Sequence, residues 1–334
     1  MRQLRHLSAA EVGAAMPPLA ERLALAEATM LALGRDAEMP PKIGVHPRQS
    51  GSLAQAMPAL LRGGAADGSA DLIGAKWIAG FPANPALGLP TYHALVLLND
   101  PVTGEPLAVM DAATITAQRT AAISGTVIRH FVPGGLGRDA APARVALLGA
   151  GAQARSHVPV IGALLPGARV LVMDVDAPRA AALAEQAAAI EGIGSADSVA
   201  SVREAVDSAD VVISVVSFGP DRQALDPAWL GAATLFVAVD YDMQAPAALA
   251  REATFVVDDR DQFLATRSGT TFAGYPDPDA TIGEVLRGGG HVDRAKEGGR
   301  ILVSHLGVGL ADVVFASAIL TRAEQLGLGR ILPS

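Results

Sequence analysis

The sequence predicts an α/β chain: a doubly wound parallel sheet of the dinucleotide-binding kind, preceded by a smaller α+β domain. Three observations carry that expectation. A short apolar run, Val145-Ala-Leu-Leu148, opens through the turn Gly149-Ala-Gly-Ala-Gln-Ala154 into a helical pattern. A second apolar run, Val170-Leu-Val-Met173, ends at Asp174, at about the spacing such folds place between glycine turn and acidic residue. Upstream of both, residues 40–111 change to short strand-like runs separated by turn signals.

Taken in order, Ser8-Ala-Ala-Glu11 is a capping box, so a helix should start near Ala9, and Pro17-Pro18 ends it and starts another. Leu19, Leu23, Ala26, Met30 and Leu33 recur at helical spacing, and Gly34 stops the run. Strands are predicted at Lys42–His46, Leu53–Leu61, Leu72–Ala79, Thr91–Leu98 and Pro106–Asp111. The turn cluster Asn99 to Gly104 should join the last two as a hairpin. Lys76 interrupts an otherwise apolar strand, Ile73-Gly-Ala-Lys-Trp-Ile78. A strand lysine more often guards an exposed edge or lies on a solvated face than serves a site, so the pattern alone favours that reading.

Thr114 to Phe131 reads as a helix with Thr116, Arg119, Thr120 and Ser124 near its start. That is either a capped surface helix with a solvated arginine or a compact set of donors. The segment Pro133 to Pro142 is rich in glycine and proline and marks a domain boundary. Residues 1–132 and 308–334 should form a substrate-binding and dimerisation domain, and 133–307 a Rossmann-type domain. Within the latter, Gly149 can take the angles of the tight turn, Gly151 admits a pyrophosphate to the main chain, and Ala154 permits close packing of helix on strand. Free N–H groups at Ala152 and Gln153 face the phosphates. Asp174 accepts from a ribose diol and repels a 2′-phosphate, which favours NAD over NADP. Pro159 should kink the first helix.

Further helices are expected at Ala177–Ile190, near Val202–Val206 and at Thr281–Leu286, with strands at Val211–Val216, Thr234–Val239, Thr254–Val257 and Ile301–Val303. Ser217 closes the first of these strands, where open α/β sheets place ligand contacts. Asp240-Tyr-Asp242 ends the second, and Leu310–Leu326 is a final helix that returns to the first domain.

Composition bounds the function. With 334 residues, half of them hydrophobic, the chain has room for about two domains and an ample core. No apolar run approaches the roughly twenty residues of a membrane span. The N-terminus lacks an apolar signal core, so the default location is cytoplasmic. A net charge of −8 and the lack of any Lys/Arg cluster argue against a nucleic-acid partner. With no cysteine there are neither disulfides nor thiolate metal sites. The seven histidines lack metal-ligand spacing, so no metal is expected.

The run Met110-Asp-Ala-Ala-Thr-Ile-Thr-Ala-Gln-Arg-Thr-Ala-Ala-Ile-Ser124, followed by Gly149-Ala-Gly-Ala-Gln-Ala-Arg155, resembles the ornithine cyclodeaminase and mu-crystallin family. Ala56-Met-Pro-Ala59, Ala75-Lys-Trp77 and Gly307 to Asp312 extend the likeness over nearly the whole chain. The resemblance implies that Arg119 grips a substrate carboxylate through its planar fork, and that Lys42 stands near it where the family usually has arginine. It further implies Lys76 beside the reacting carbon, Thr91 near the substrate, and Thr120 and Ser124 near the nicotinamide and phosphates. Asp242 is the counterpart of the carboxylate that handles the proton. The family's Pro-Gly-Lys after that aspartate is replaced here by Met243-Gln-Ala-Pro246, so Asp240 competes for the role. The implied activity is NAD-dependent hydride transfer at the carbon beside a carboxylate, as in an imine reductase or amino-acid dehydrogenase. The alternatives are a cyclodeaminase releasing ammonia and a non-catalytic, cofactor-dependent binding protein of mu-crystallin type. The implied partners are a small amino, imino or keto acid and a second copy of the chain.

Overall fold

The computed structural model describes residues 4–65, 67–132, 141–267, 271–288 and 299–332. Contacts divide the chain into two units, Met1–Arg119 with Val308–Ser334, and Thr120–Gly307.

The first unit is built on an eight-stranded sheet. Its strands are β1 (Leu4–Leu7), β2 (Ala37–Glu38), β3 (Ile43–Val45), β4 (Leu53–Leu61), β5 (Leu72–Gly80), β6 (Tyr92–Asn99), β7 (Pro106–Asp111) and β16 (Arg330–Leu332). They run in the order β16-β1-β7-β6-β5-β4-β2, with β3 also on β4. The hairpin expected across Asn99 to Gly104 is the antiparallel β6–β7 pair. Helix α1 (Ala9–Ala14) begins at the Ser8 capping box, and α2 is Leu19–Ala32.

Alternation along β5 and β6 splits the sheet by face. Gly74, Lys76, Val96 and Leu98 point inward and are buried, while Ile73, Trp77, Leu95 and Leu97 point out and are exposed. The inner face is covered by helix α10 (Gly309–Gln325). Close approach requires glycine at two positions. A Cβ on Gly309 would meet the Met57 carbonyl oxygen at 2.7 Å, and one on Gly74 would meet the Leu97 carbonyl oxygen at 2.4 Å. The return of this last helix to the first unit, expected from sequence, is therefore tight.

Helix α3 (Ala113–Phe131) follows, and the division between units runs through it, between Arg119 and Thr120. The sequence placed that boundary after Val132, in a glycine-rich segment whose residues 133–140 lie outside those described. In the later half of α3, Ser124 is hydrogen-bonded to two histidines of the second unit.

The second unit is a parallel sheet, in the order β10-β9-β8-β11-β12-β15-β13-β14. The strands are β8 (Arg144–Leu148), β9 (Ala168–Met173), β10 (Ile193–Ser198), β11 (Val211–Ser214), β12 (Leu235–Ala238), β13 (Thr254–Val257), β14 (Ala280–Thr281) and β15 (Ile301–Ser304). Its helices are α4 (Ala152–Leu164), α5 (Ala177–Ala188), α6 (Val202–Val206), α7 (Ala247–Glu252), α8 (Arg260–Thr266) and α9 (Ile282–Leu286). Apart from the exposed Arg144 at the start of β8, the central strands are buried along their length, which explains why they read as unbroken apolar runs. Strand order reverses between β8 and β11, the place where doubly wound sheets bind ligands. Helix α4 contains Pro159 and continues past it to Leu164. Among the described residues no helix is long and apolar enough to cross a membrane.

Candidate active site

In the first unit the inward face of β5 places Lys76, 1% exposed, under the first turn of α10. Lys76 Nζ lies 2.7 Å from Asp312 Oδ2. Arg119 Nε donates to Asp312 Oδ1 at 3.1 Å. All three side chains are buried, and Lys42, on the half-buried approach to β3, is near enough for its charge to be felt at Lys76. Two buried cations thus share the carboxylate of Asp312.

The titration of the group follows from burial first and from those charges second. Burial pushes the Lys76 ammonium down to about 7, Asp312 opposes the shift, and Arg119 and Lys42 add to it. Burial alone would raise the Asp312 carboxyl, but Arg119 and Lys76 outweigh it and hold it below the usual range. An apolar interior tolerates an unbalanced positive cluster poorly. A bound carboxylate would balance it, and Arg119, having used Nε on Asp312, keeps its two Nη groups for such a ligand. Thr91 lies half-buried just before β6.

The structure gives Lys76 a buried ion pair rather than an edge. Asp312, to which the sequence reading assigned no role, is the residue that organises the cluster. Its signal was a lone acid in the apolar start of the last helix, Leu310-Ala-Asp-Val-Val-Phe315.

In the second unit Gly149 sits at the end of β8 with φ +102°, and a Cβ there would meet the Val215 carbonyl oxygen at 2.8 Å. Only glycine suits that position. Gly151 is the N-cap of α4, in extended backbone, and its missing Cβ would meet nothing within 4 Å. The backbone at Gly151 is therefore open on the side a Cβ would fill. Gln153 Oε1 is buried with no hydrogen-bond partner among the described residues. The amides at this helix N-terminus fit a dinucleotide pyrophosphate, and the orphaned Gln153 Oε1 fits a donor such as a ribose hydroxyl. Asp174 follows β9 directly. Its two oxygens accept from Ala150 N at 2.7 Å and Asp176 N at 2.9 Å, which fixes the carboxylate beside the turn. Ser217 is exposed in the loop after β11. Thr120 is buried. Ser124 is fully buried, and its hydroxyl is committed to His157 and His305 instead of facing a cofactor.

Asp240 and Asp242 lie just past β12, separated by Tyr241 at φ +63°. A left-handed aromatic residue is rare and turns the chain sharply, so the two carboxylates have different surroundings. Asp242, fully buried, pairs with Arg222 Nη1 and accepts from Phe272 N at 2.8 Å. Asp240 Oδ2 accepts from Ser214 Oγ and, at 3.2 Å, from Val216 N, while its Oδ1 is buried without a partner among the described residues. Burial pushes the Asp240 carboxyl up to about 7, against those hydrogen bonds. Asp240 therefore combines an oxygen without a partner among the described residues and a titration near neutrality, both suited to proton transfer. Asp242, which the sequence reading favoured for that role, is tied by an ion pair and an amide.

A family model described as the ornithine cyclodeaminase/mu-crystallin family matches residues 7–326. The chain belongs to that family. Among relatives of this ornithine cyclodeaminase/mu-crystallin chain, nodulation efficiency protein NfeD of Rhizobium meliloti is 33% identical, with 98% of each chain covered. Alanine dehydrogenase of Archaeoglobus fulgidus is 32% identical over 90% of this chain and 88% of that one. An archaeal alanine dehydrogenase dimer solved with bound NAD superposes with a TM-score of 0.80, at 27% identity and 99% coverage of both chains.

Proposed function

We propose that the chain is an NAD-dependent oxidoreductase that moves a hydride to or from the α-carbon of a small amino, imino or keto acid. The observation that carries this reading is the buried cluster in which Lys76 and Arg119 share the carboxylate of Asp312, with Lys42 close enough for its charge to act on Lys76. Such a cluster favours an anionic ligand, and the likeness to alanine dehydrogenase supports reading that ligand as a 2-amino acid or its oxidised form.

Arg119 and Lys42 hold the substrate carboxylate, Arg119 by a bidentate pair. Lys76 donates to the C=N or C=O group, which draws electrons from the carbon that accepts the hydride. Asp240 gives the proton in reduction and takes it back in oxidation. Gly149, Gly151, Ala152 and Gln153 hold the pyrophosphate, and Asp174 the ribose diol. When bound, NAD supplies the hydride acceptor and NADH the donor.

The assay follows NADH absorbance with 2-oxo acids plus ammonia or amines, and with cyclic imines. NADH loss is the expected result. Ammonia release from ornithine or lysine without net NADH change would make the chain a cyclodeaminase instead, and NADH binding without turnover of any substrate would make it a binding protein. In the same assay Asp174→Ala should narrow the preference for NADH over NADPH by at least tenfold, because a tenfold change needs only about 1.4 kcal/mol. A wild-type preference for NADPH would remove Asp174 from its role.

The outer sheet face supports a second copy as the chain's partner. Trp77 pairs with Leu95 and Ala75 with Leu97 across β5 and β6, and Trp77 is 49% and Leu95 47% exposed. An apolar sheet face of this kind marks an interface. A dimer is expected by sedimentation, and Trp77→Asp with Leu95→Lys should leave a monomer. A wild-type monomer at micromolar concentration would sink this assignment.

A further inference from the structure

Three side chains of the second unit that take no part in the proposed chemistry form one buried chain of hydrogen bonds. Ser124 Oγ lies 2.8 Å from His157 Nε2 and 2.9 Å from His305 Nε2, and His157 Nδ1 lies 2.7 Å from the Gln153 carbonyl oxygen. Ser124 and His157 are fully buried and His305 nearly so.

The direction of the chain follows from donor counting. A carbonyl only accepts, so His157 Nδ1 carries the proton. Burial pushes the His157 imidazole down to about 4, so the ring is neutral and Nε2 offers a lone pair. Ser124 donates its one proton there. Towards His305 it accepts, and His305 therefore presents Nε2–H.

The two ends of the chain are informative. Gln153 is the second residue of α4, after the N-cap Gly151. Its carbonyl belongs to the same peptide as Ala154 N–H, one of the amides that a helix N-terminus leaves free. A hydrogen bond accepted by that carbonyl polarises the peptide and strengthens the N–H as a donor. At the other end His305 follows β15, and its backbone N–H donates to the Ala238 carbonyl at 3.1 Å, in the strand that leads to Asp240. Three buried polar side chains cost desolvation that apolar residues would avoid, so packing alone does not explain them.

We propose that Ser124, His157 and His305 are positioning residues for the dinucleotide: a relay of fixed polarity that holds the first turn of α4 to the end of β15 and orients the amides that meet the pyrophosphate. The proposal rests on reading the glycine turn as the dinucleotide site.

Nitrogen-15 spectra of the histidine rings test the polarity directly. His157 is expected as the Nδ1–H form and His305 as the Nε2–H form, and addition of NADH should shift the His157 Nδ1–H signal. Fluorescence titration tests the consequence. Ser124→Ala is expected to raise the NADH Kd about tenfold. His157→Asn keeps an amide nitrogen where Nδ1 stands, and His157→Gln places its polar end near Nε2 instead. The Asn variant should bind NADH at least fivefold more tightly than the Gln variant, a difference that simple loss of the ring would not produce. A His157 proton found on Nε2, or an unchanged Kd in Ser124→Ala with the two His157 variants equal, would overturn the proposal. Wild-type protein that bound no NADH would overturn the reading of the turn itself, a result visible before any variant is made.

Discussion

Replacing Asp312 by asparagine is expected to move the alkaline limb of the rate profile to lower pH and to cost stability in the range of about 3–5 kcal/mol. The reason lies in the charges around it. Asp312 is the one carboxylate paired with both Lys76 and Arg119, and its attraction is what keeps the Lys76 ammonium from falling below about 7. If Lys76 must be charged to polarise the substrate, kcat/KM for reduction falls as pH rises through that value. Without Asp312 the same loss occurs at lower pH. Misplacing Arg119, whose Nε is also held there, adds a binding defect, and errors of about 1 Å in such a clamp cost on the order of a hundredfold in rate. Asp312→Glu should recover part of the rate and return the limb towards its wild-type position. A limb that stays in place in Asp312→Asn would show that Lys76 is not the group being titrated.

Stability carries the same signature. The folded-state value of Lys76 lies below its ordinary 10.5, so between about 7 and 10.5 the unfolded chain binds more protons, and stability from this group rises with pH across that window. For Asp312 the folded value is lowered. Its contribution is present above the ordinary carboxylate range and lost as pH falls through the folded value.

The sequence made the second unit more legible than the first because buried parallel strands leave unbroken apolar runs. Thr254–Val257 was read with its observed bounds, and Val145–Leu148 to within one residue. Strands stabilised only by partners left no such trace. Leu4–Leu7 and Arg330–Leu332 pair with each other from opposite ends of the chain, and Ile193–Ser198 is a polar strand added at a sheet edge. Neither composition nor period marks them.

The same distinction governs the site. The glycine turn is a local motif, readable from a dozen residues. The pairing of Asp312 with Arg119 joins side chains 193 positions apart, and only packing reveals it. Asp240 and Asp242 are two residues apart and chemically identical, so no motif separates them. What does is the left-handed turn at Tyr241, which the sequence could not announce because a tyrosine there is unfavourable on its own.

That separation makes the second large effect. Asp240→Asn is expected to abolish turnover, a loss of about a thousandfold or more on the scale of general acid–base catalysis, while NADH binding survives. Asp242→Asn should retain substantial activity and lose stability instead. Its Arg222 partner is 28% exposed and can turn to water, so the cost is about 1.5–3 kcal/mol, the range for a hydrogen bond to a charged group. The Asp240 variant also differs from wild type in its response to pH. The Asp240 carboxyl is raised from 3.8 to about 7 by burial, so in that window the folded chain binds more protons than the unfolded one, and this group's contribution to stability falls as pH rises. Asparagine at position 240 removes that slope, and the variant should gain on wild type in denaturation measured at pH 8 compared with pH 5. In reduction, the wild-type rate should fall above about pH 7 with contributions from both Lys76 and Asp240, since both must hold a proton. In oxidation the Asp240 requirement reverses, and the rate should rise through the same pH. Full activity in Asp240→Asn with loss in Asp242→Asn would return the proton to Asp242 and make its pair with Arg222 part of the chemistry.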